Sequence, residues 1–212
     1  MLTVTRFNTT TLAENYEYKR KKKVPCIYGS PSRMPPNIVS NYLFVIEMNN
    51  STNIVEGIGF IQNKIVNNYR EVYRIYQNGN YNRFIFKGFF HVSREELLQH
   101  SNTSRLVKIL DTVLFKGKGH MKRGIGFNSL TNKILARKIK ARQIKKKARK
   151  SRLLQIVEEF VDREEIVESL LEPVLEPVLE QMLEPVETIT SVEMILKELF
   201  EKLFGEDFSS FF

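Results

Sequence analysis

The sequence has no tryptophan, one cysteine and three histidines, and it is poor in acids where its bases are densest. The single thiol, Cys26, excludes an intrachain disulfide and fits a reducing compartment. The histidines and Cys26 form no close cluster with carboxylates, so no zinc site is expected and no cofactor is indicated. There is no Gly-x-Ser-x-Gly elbow, and nothing in the spacing brings Cys26 to His91 or His120 as nucleophile and base. No catalytic residue is assigned, and the balance is against an enzyme. No run reaches the roughly 18 apolar residues of a membrane-spanning helix. The N-terminus lacks the apolar core of a secretory signal, so a soluble protein is expected.

Charge is divided unevenly. Residues 1–150 carry 29 Lys/Arg against 8 Asp/Glu, while residues 151–212 carry 4 against 16. The net charges are +21 and −12, which make up the overall +9. A segment this basic has the electrostatic footprint of a polyanion binder. The acidic remainder can screen it or reach a protein partner.

The most strand-like stretch is Tyr42 to Asn63. Tyr42, Phe44, Ile46 and Met48 fall on one face and Leu43 and Val45 on the other, so the strand is apolar on both sides. A polar loop, Asn49 to Asn53, returns the chain into Ile54 to Ile61 as a hairpin. Gly57 and Gly59 share a face of the second strand, the mark of a bulge, a sharp bend or a close approach by another backbone or a ligand. Glu47 is the lone charge in the buried strand and needs a partner. Lys87 or Arg83 on a neighbouring strand is expected to supply it.

Around this hairpin the elements are read in order. Residues 1–24 look poorly structured or at most partly paired, a basic arm whose five consecutive cations, Lys19 to Lys23, fit a nuclear import signal, a phosphate-binding arm or an ordinary solvated segment. Residues 25–40 hold four of the seven prolines and predict an irregular loop. Asn67-Asn68 is a turn signal, Val72 to Tyr76 a strand, and Asn78-Gly79 a second hairpin turn into a strand from Tyr81 to Val92. Ser93 and Glu96 fit a capping box for a helix over 94–100. Ser104 can cap a further helix through Leu114, and a last strand is read over Ile125 to Leu130.

Between these lies a glycine-rich basic loop from Lys116 to Phe127. Its glycines would admit an anion to the backbone amides, and Lys118, His120, Lys122 and Arg123 would add polar and charged groups. A plain surface turn explains it nearly as well. It lacks the spacing of a Walker loop or a dinucleotide fingerprint. Residues 133–152 hold eleven cations and no acid. Arg137, Lys138, Arg142, Lys145, Lys146 and Lys147 would lie along a phosphate backbone, on a helix or on an arm that orders on binding, with a helix on an anionic membrane surface as the third reading. Residues 153–212 read as an acidic helical or low-complexity tail, with a Leu-Glu-Pro-Val repeat and a final helix over 191–204.

The runs CIYGSP, FVIEMNN, GIGFI, YQNGNYNRF and KRGIGF resemble uncharacterised proteins of nucleocytoplasmic large DNA viruses. More broadly, the order of elements over residues 24–135 resembles the PUA-like β-barrel superfamily, which includes the ASCH, EVE and YTH domains. The resemblance implies an α+β fold: a small PUA-like mixed or antiparallel β-barrel over 25–132 with two or three short helices, followed by the basic and acidic tail. It implies binding of nucleic acid, RNA ahead of DNA, in a cleft lined by Tyr28, Ser30, Arg33, Asn80, Tyr81, Arg83 and the Lys122-Arg123 loop. The absence of tryptophan removes the aromatic cage of methyl-base readers, although Tyr or Phe can still stack on a base. Two alternatives stand: a structural virion or scaffold protein bridging genome or capsid, and a small ASCH-type hydrolase using Glu47. The host cytoplasm, viral factory or nucleus is the implied location, with packaging in the virion as a further option.

Overall fold

A computed structural model describes residues 1–66, 72–117, 119–131 and 190–205, together with Phe208 and Phe211. Two compact units divide the chain: residues 1–132 with 190–212 form one, and residues 133–189 form the other. The first is an α+β unit built on a curled, six-stranded mixed sheet, a half-barrel.

The first 24 residues are structured, contrary to the expected arm. β1 (Leu2–Phe7) runs parallel to β3 (Tyr42–Asn49), and α1 (Thr9–Lys22) follows at once. The Asn8 side chain accepts from the Thr11 N–H, and the Thr11 hydroxyl accepts from the Asn8 N–H. This reciprocal pair caps α1. Lys23 closes the helix in the left-handed conformation, with φ of 50°. α1 lacks an apolar stripe: only Leu12 and Asn15 are buried. That is why periodicity did not reveal it.

β2 (Cys26–Ser30), β4 (Ile54–Ile65), β5 (Phe84–Ser93) and the two-residue β6 (Asn128–Ser129) complete the sheet, in the order β2-β5-β4-β3-β1-β6. The β3–β4 hairpin forms as expected, and its register shifts between Glu47 and Met48. Glu47 faces Gly57 and Met48 faces Val55, so Glu56 is the extra residue of a bulge. The Val55 N–H donates to Asp111 Oδ1 at 2.7 Å, and its carbonyl accepts from Arg94 Nη1 at 2.6 Å. Arg94 and Asp111 pair at 2.8 Å, so one ion pair satisfies the backbone that the bulge frees.

The second hairpin does not form. Residues 72–76 are irregular, and Asn78-Gly79 opens a 3-10 turn, Gly79–Asn82, instead of joining two strands. Asn82 explains this. Its Oδ1 accepts from the N–H groups of Ile75 and Tyr76, both at 3.0 Å, and its amide donates to the Tyr76 carbonyl at 2.7 Å. A side chain thus takes the place of a partner strand. β5 pairs directly with β4.

α2 (Arg94–Gln99) carries the expected Ser93–Glu96 capping box. α3 (Ser101–Phe115) starts one turn before Ser104, at a cap residue, His100, that makes no side-chain bond. The strand expected over 125–130 is reduced to β6. Beyond the described gap, α4 (Thr190–Phe204) belongs to the same unit as the sheet. The chain's end is therefore part of the core. Phe200 meets Phe44 at 5.3 Å, Phe208 meets Phe60 at 4.9 Å and Phe204 meets Phe90 at 4.6 Å between ring centroids. The Leu-Glu-Pro-Val repeat and the Asn67-Asn68 turn lie outside the described residues.

The inner face of the curl holds a second cluster, including Phe7, Cys26, Tyr28, Leu43, Val45, Phe86 and Phe127. Phe127, just before β6, packs edge-on against Tyr28 of β2 at 6.1 Å and Phe86 of β5 at 5.2 Å. The two sides of the sheet thus meet through aromatic side chains rather than through a strand ladder.

Candidate functional site

Glu47 continues the Leu43–Val45 face into the curl and is fully buried. Its expected partners, Lys87 and Arg83, are elsewhere. Lys87 stands over the Tyr73 ring at 4.7 Å, and Arg83 over Phe84 at 5.7 Å. Four other groups surround the carboxylate. The Tyr28 hydroxyl donates to Oε1 at 2.8 Å, and the Tyr16 hydroxyl to Oε2 at 3.1 Å. His91 Nε2 lies 3.1 Å and Lys19 Nζ 3.7 Å from Oε1. Lys19 also sits 4.2 Å above the Tyr16 ring.

The glycine pair on β4 makes this meeting possible. β4 separates β3 from β5, so a side chain at Gly57 would stand between Glu47 and His91. A Cβ there would come within 2.8 Å of His91 Nε2 and 3.0 Å of Glu47 Oε2. A Cβ on Gly59 would overlap the Tyr28 hydroxyl and the Cys26 sulfur. The glycines are the floor of a polar chamber, a close approach by side chains from both flanking strands.

Burial pushes the Glu47 carboxyl upward, but the His91 and Lys19 charges and the Tyr28 hydrogen bond outweigh it. The group is held well below the usual carboxylate range. Burial, followed by the nearby negative charge, drives the Tyr16 and Tyr28 phenols well above theirs. Burial pushes the Cys26 thiol up to about 12, which makes it a poor nucleophile. A carboxylate held so far below neutrality is a weak proton acceptor, and Glu47 is enclosed by its partners. The arrangement tethers α1 to the sheet.

The glycine-rich loop also works differently from expectation. Arg6 of β1 donates to the carbonyls of Met121 and Gly126 and to Asn128 Oδ1. The loop therefore turns carbonyls toward a half-buried guanidinium. Asn50 donates to the Lys122 carbonyl at 3.0 Å, the His120 N–H donates to the Gly117 carbonyl at 3.3 Å, and Arg123 is exposed. The loop does reach β2: a Cβ on Gly126 would come within 2.7 Å of Ser30 Oγ.

Of the other site residues, Tyr28 and Ser30 are buried and their hydroxyls are engaged, Ser30 Oγ donating to the Ser32 carbonyl at 2.7 Å. Asn80 is exposed, and its N–H donates to Asn78 Oδ1 at 3.1 Å. Tyr81 packs edge-on against Tyr76 at 6.0 Å. Arg33 and Arg83 converge on Phe84, 5.2 and 5.7 Å from its ring centroid. Beside them is an open cleft of about 440 Å³ lined by Val66, Val72, Tyr73, Arg74, Gly79, Asn82, Arg83 and Ile85. Arg74 was missed by sequence reasoning because it lay within an expected strand. Lys118, Arg137, Lys138, Arg142, Lys145, Lys146 and Lys147 lie outside the described residues. Among the described residues no group of His, Cys, Asp and Glu could hold a metal ion, and no helix is long and apolar enough to cross a membrane.

No family model, curated protein or solved structure matches the chain.

Proposed function

We propose that this protein binds nucleic acid, RNA ahead of DNA, through the basic rim of a PUA-like half-barrel and the cation-rich segment 133–152. One observation carries the reading: among the described residues, several exposed cations have no carboxylate partner. The carboxylates of Glu17, Glu47 and Asp111 are taken up by Lys21, by Lys19 with His91, and by Arg94. Lys22, Lys23, Arg33, Arg74, Arg83 and Arg123 are exposed and have no carboxylate within 4.0 Å among the described residues. Lys22 and Lys23 precede the edge strand β2, and Arg33 follows it. Uncompensated cations raise the local potential and release counterions when they meet phosphates.

The test is binding of a fluorescent single-stranded RNA by the full chain across a salt series. Affinity should fall linearly on a log–log plot, by orders of magnitude between about 50 and about 200 mM salt. Replacing the cations of 133–152 should flatten the slope. No binding to RNA or DNA at the lowest salt overturns the reading.

A further inference from the structure

We infer that the cleft beside β5 is a mononucleotide pocket: Arg74 and Arg83 bind phosphate oxygens and the Val66–Val72 wall contacts the base. The inference rests on the nucleic-acid reading above and narrows it to a single unpaired nucleotide, either free or at an exposed position of a single strand.

Three features of the cleft point to this chemistry. First, the charged residues among its described lining are both arginines. Arg74 and Arg83 are exposed, and neither has a carboxylate partner among the described residues. Two guanidiniums on one small cavity match an oxyanion with several acceptor oxygens. Second, the remaining lining is largely apolar. Asn82 has its Oδ1 and one amide hydrogen committed to the backbone of Ile75 and Tyr76, so it braces the wall. Val66 and Val72 offer apolar surface to a ring, backed by the buried Tyr73 and Ile85. Val72 is 77% exposed and open to contact. Third, the cleft is shaped in advance. The Asn82 bonds and the stacking of Arg33 and Arg83 on Phe84 hold its rim, and Gly79 leaves one side open, with nothing within 4 Å of where its Cβ would be. A volume of about 440 Å³ suits one nucleotide and is far too small for a duplex.

The probes are adenosine 5′-monophosphate, adenosine and inorganic phosphate, titrated calorimetrically into the full chain. Each is then used to compete with the fluorescent RNA. The monophosphate should bind and displace RNA, and adenosine and phosphate should each bind at least about tenfold more weakly. Arg74→Ala and, separately, Arg83→Ala should each weaken the monophosphate at least about tenfold. The unchanged circular dichroism expected for exposed residues would show that the fold is intact. Arg74→Lys should recover only part of the affinity, because a point charge replaces a planar fork. If the chain binds RNA but not the monophosphate, or if both alanine variants bind it as tightly as the parent, the pocket assignment is wrong and the broader reading survives. If the monophosphate binds in an arginine-dependent way but no polynucleotide does, the pocket stands and the broader reading falls.

Discussion

The Tyr16 hydroxyl donates to Glu47 Oε2 at 3.1 Å, and this bond ties a helix with almost no apolar face to the most deeply buried strand of the sheet. Asn15 adds a second hook, donating to the Ile27 carbonyl at 2.8 Å and to the Tyr76 hydroxyl at 3.1 Å. Lys19 adds a third through Glu47. Two of these three polar hooks, Tyr16 and Lys19, share Glu47 and fail together when it is removed, while Asn15 holds independently.

Glu47→Gln should destabilise the fold by about 3–5 kcal/mol in urea titrations, because the Lys19 ammonium would be left without its counter-charge. A loss under about 1 kcal/mol would mean that the carboxylate is not the hub described.

The contribution of Glu47 should also depend on acid. Its folded pKa is depressed, so its stabilisation is fully present above the unfolded value of about 4.3. It is lost progressively as pH falls below that toward the folded value. The stability gap between the parent and Glu47→Gln should narrow as the pH falls below about 4.3. A gap that widens in acid would contradict the assignment.

Cys26 reports on the docking of α1. It is the only thiol, it is buried, and it lies beside Tyr28 under the helix. The parent should react slowly with iodoacetamide at pH 8. Tyr16→Phe combined with Lys19→Met should speed alkylation by about tenfold or more, as helix opening becomes easier by over 1.4 kcal/mol. Equal rates would show that thiol access does not require α1 to move.

The glycines of β4 should tolerate no side chain. Gly59→Ala would drive a methyl group into Tyr28 and Cys26, at a cost of about 1–3 kcal/mol. Gly79→Ala meets open space and should stay within about 0.5 kcal/mol. Thermal melts of the two variants compare them directly.

The aromatic seam between α4 and the sheet should carry much of the stability. Phe200→Ala removes a fully buried ring that touches Phe44 and Phe60, at about 3–5 kcal/mol. Met194→Ala, at a side chain 55% exposed on the same helix, serves as the neutral control. Similar melts for both would mean that α4 is not part of the core.

Local signals in the sequence carried the hairpin of β3 and β4, the capping box of α2, the apolar stripes of α3 and α4 and the close approach at Gly57 and Gly59. Each depends on neighbours within a few residues, so composition and spacing reveal it. The same is true of the unpaired charge at Glu47, which was visible as an anomaly before its partners were.

The partners themselves were decided by the tertiary structure. Lys19 and Tyr16 are 28 and 31 residues from Glu47 in the chain, and His91 is 44 residues away. Their convergence depends on strand order and on two missing side chains in β4. α1 was hidden because its docking uses three polar hooks instead of an apolar face. The expected second hairpin gave way because Asn82 could satisfy the backbone of Ile75 and Tyr76 more locally than another strand could. Charge and hydrophobic pattern are properties of the chain and can be read from it. Which acid meets which base, and which end of the chain seals the core, follow from burial, where a polar group must find whatever partner the fold brings within reach.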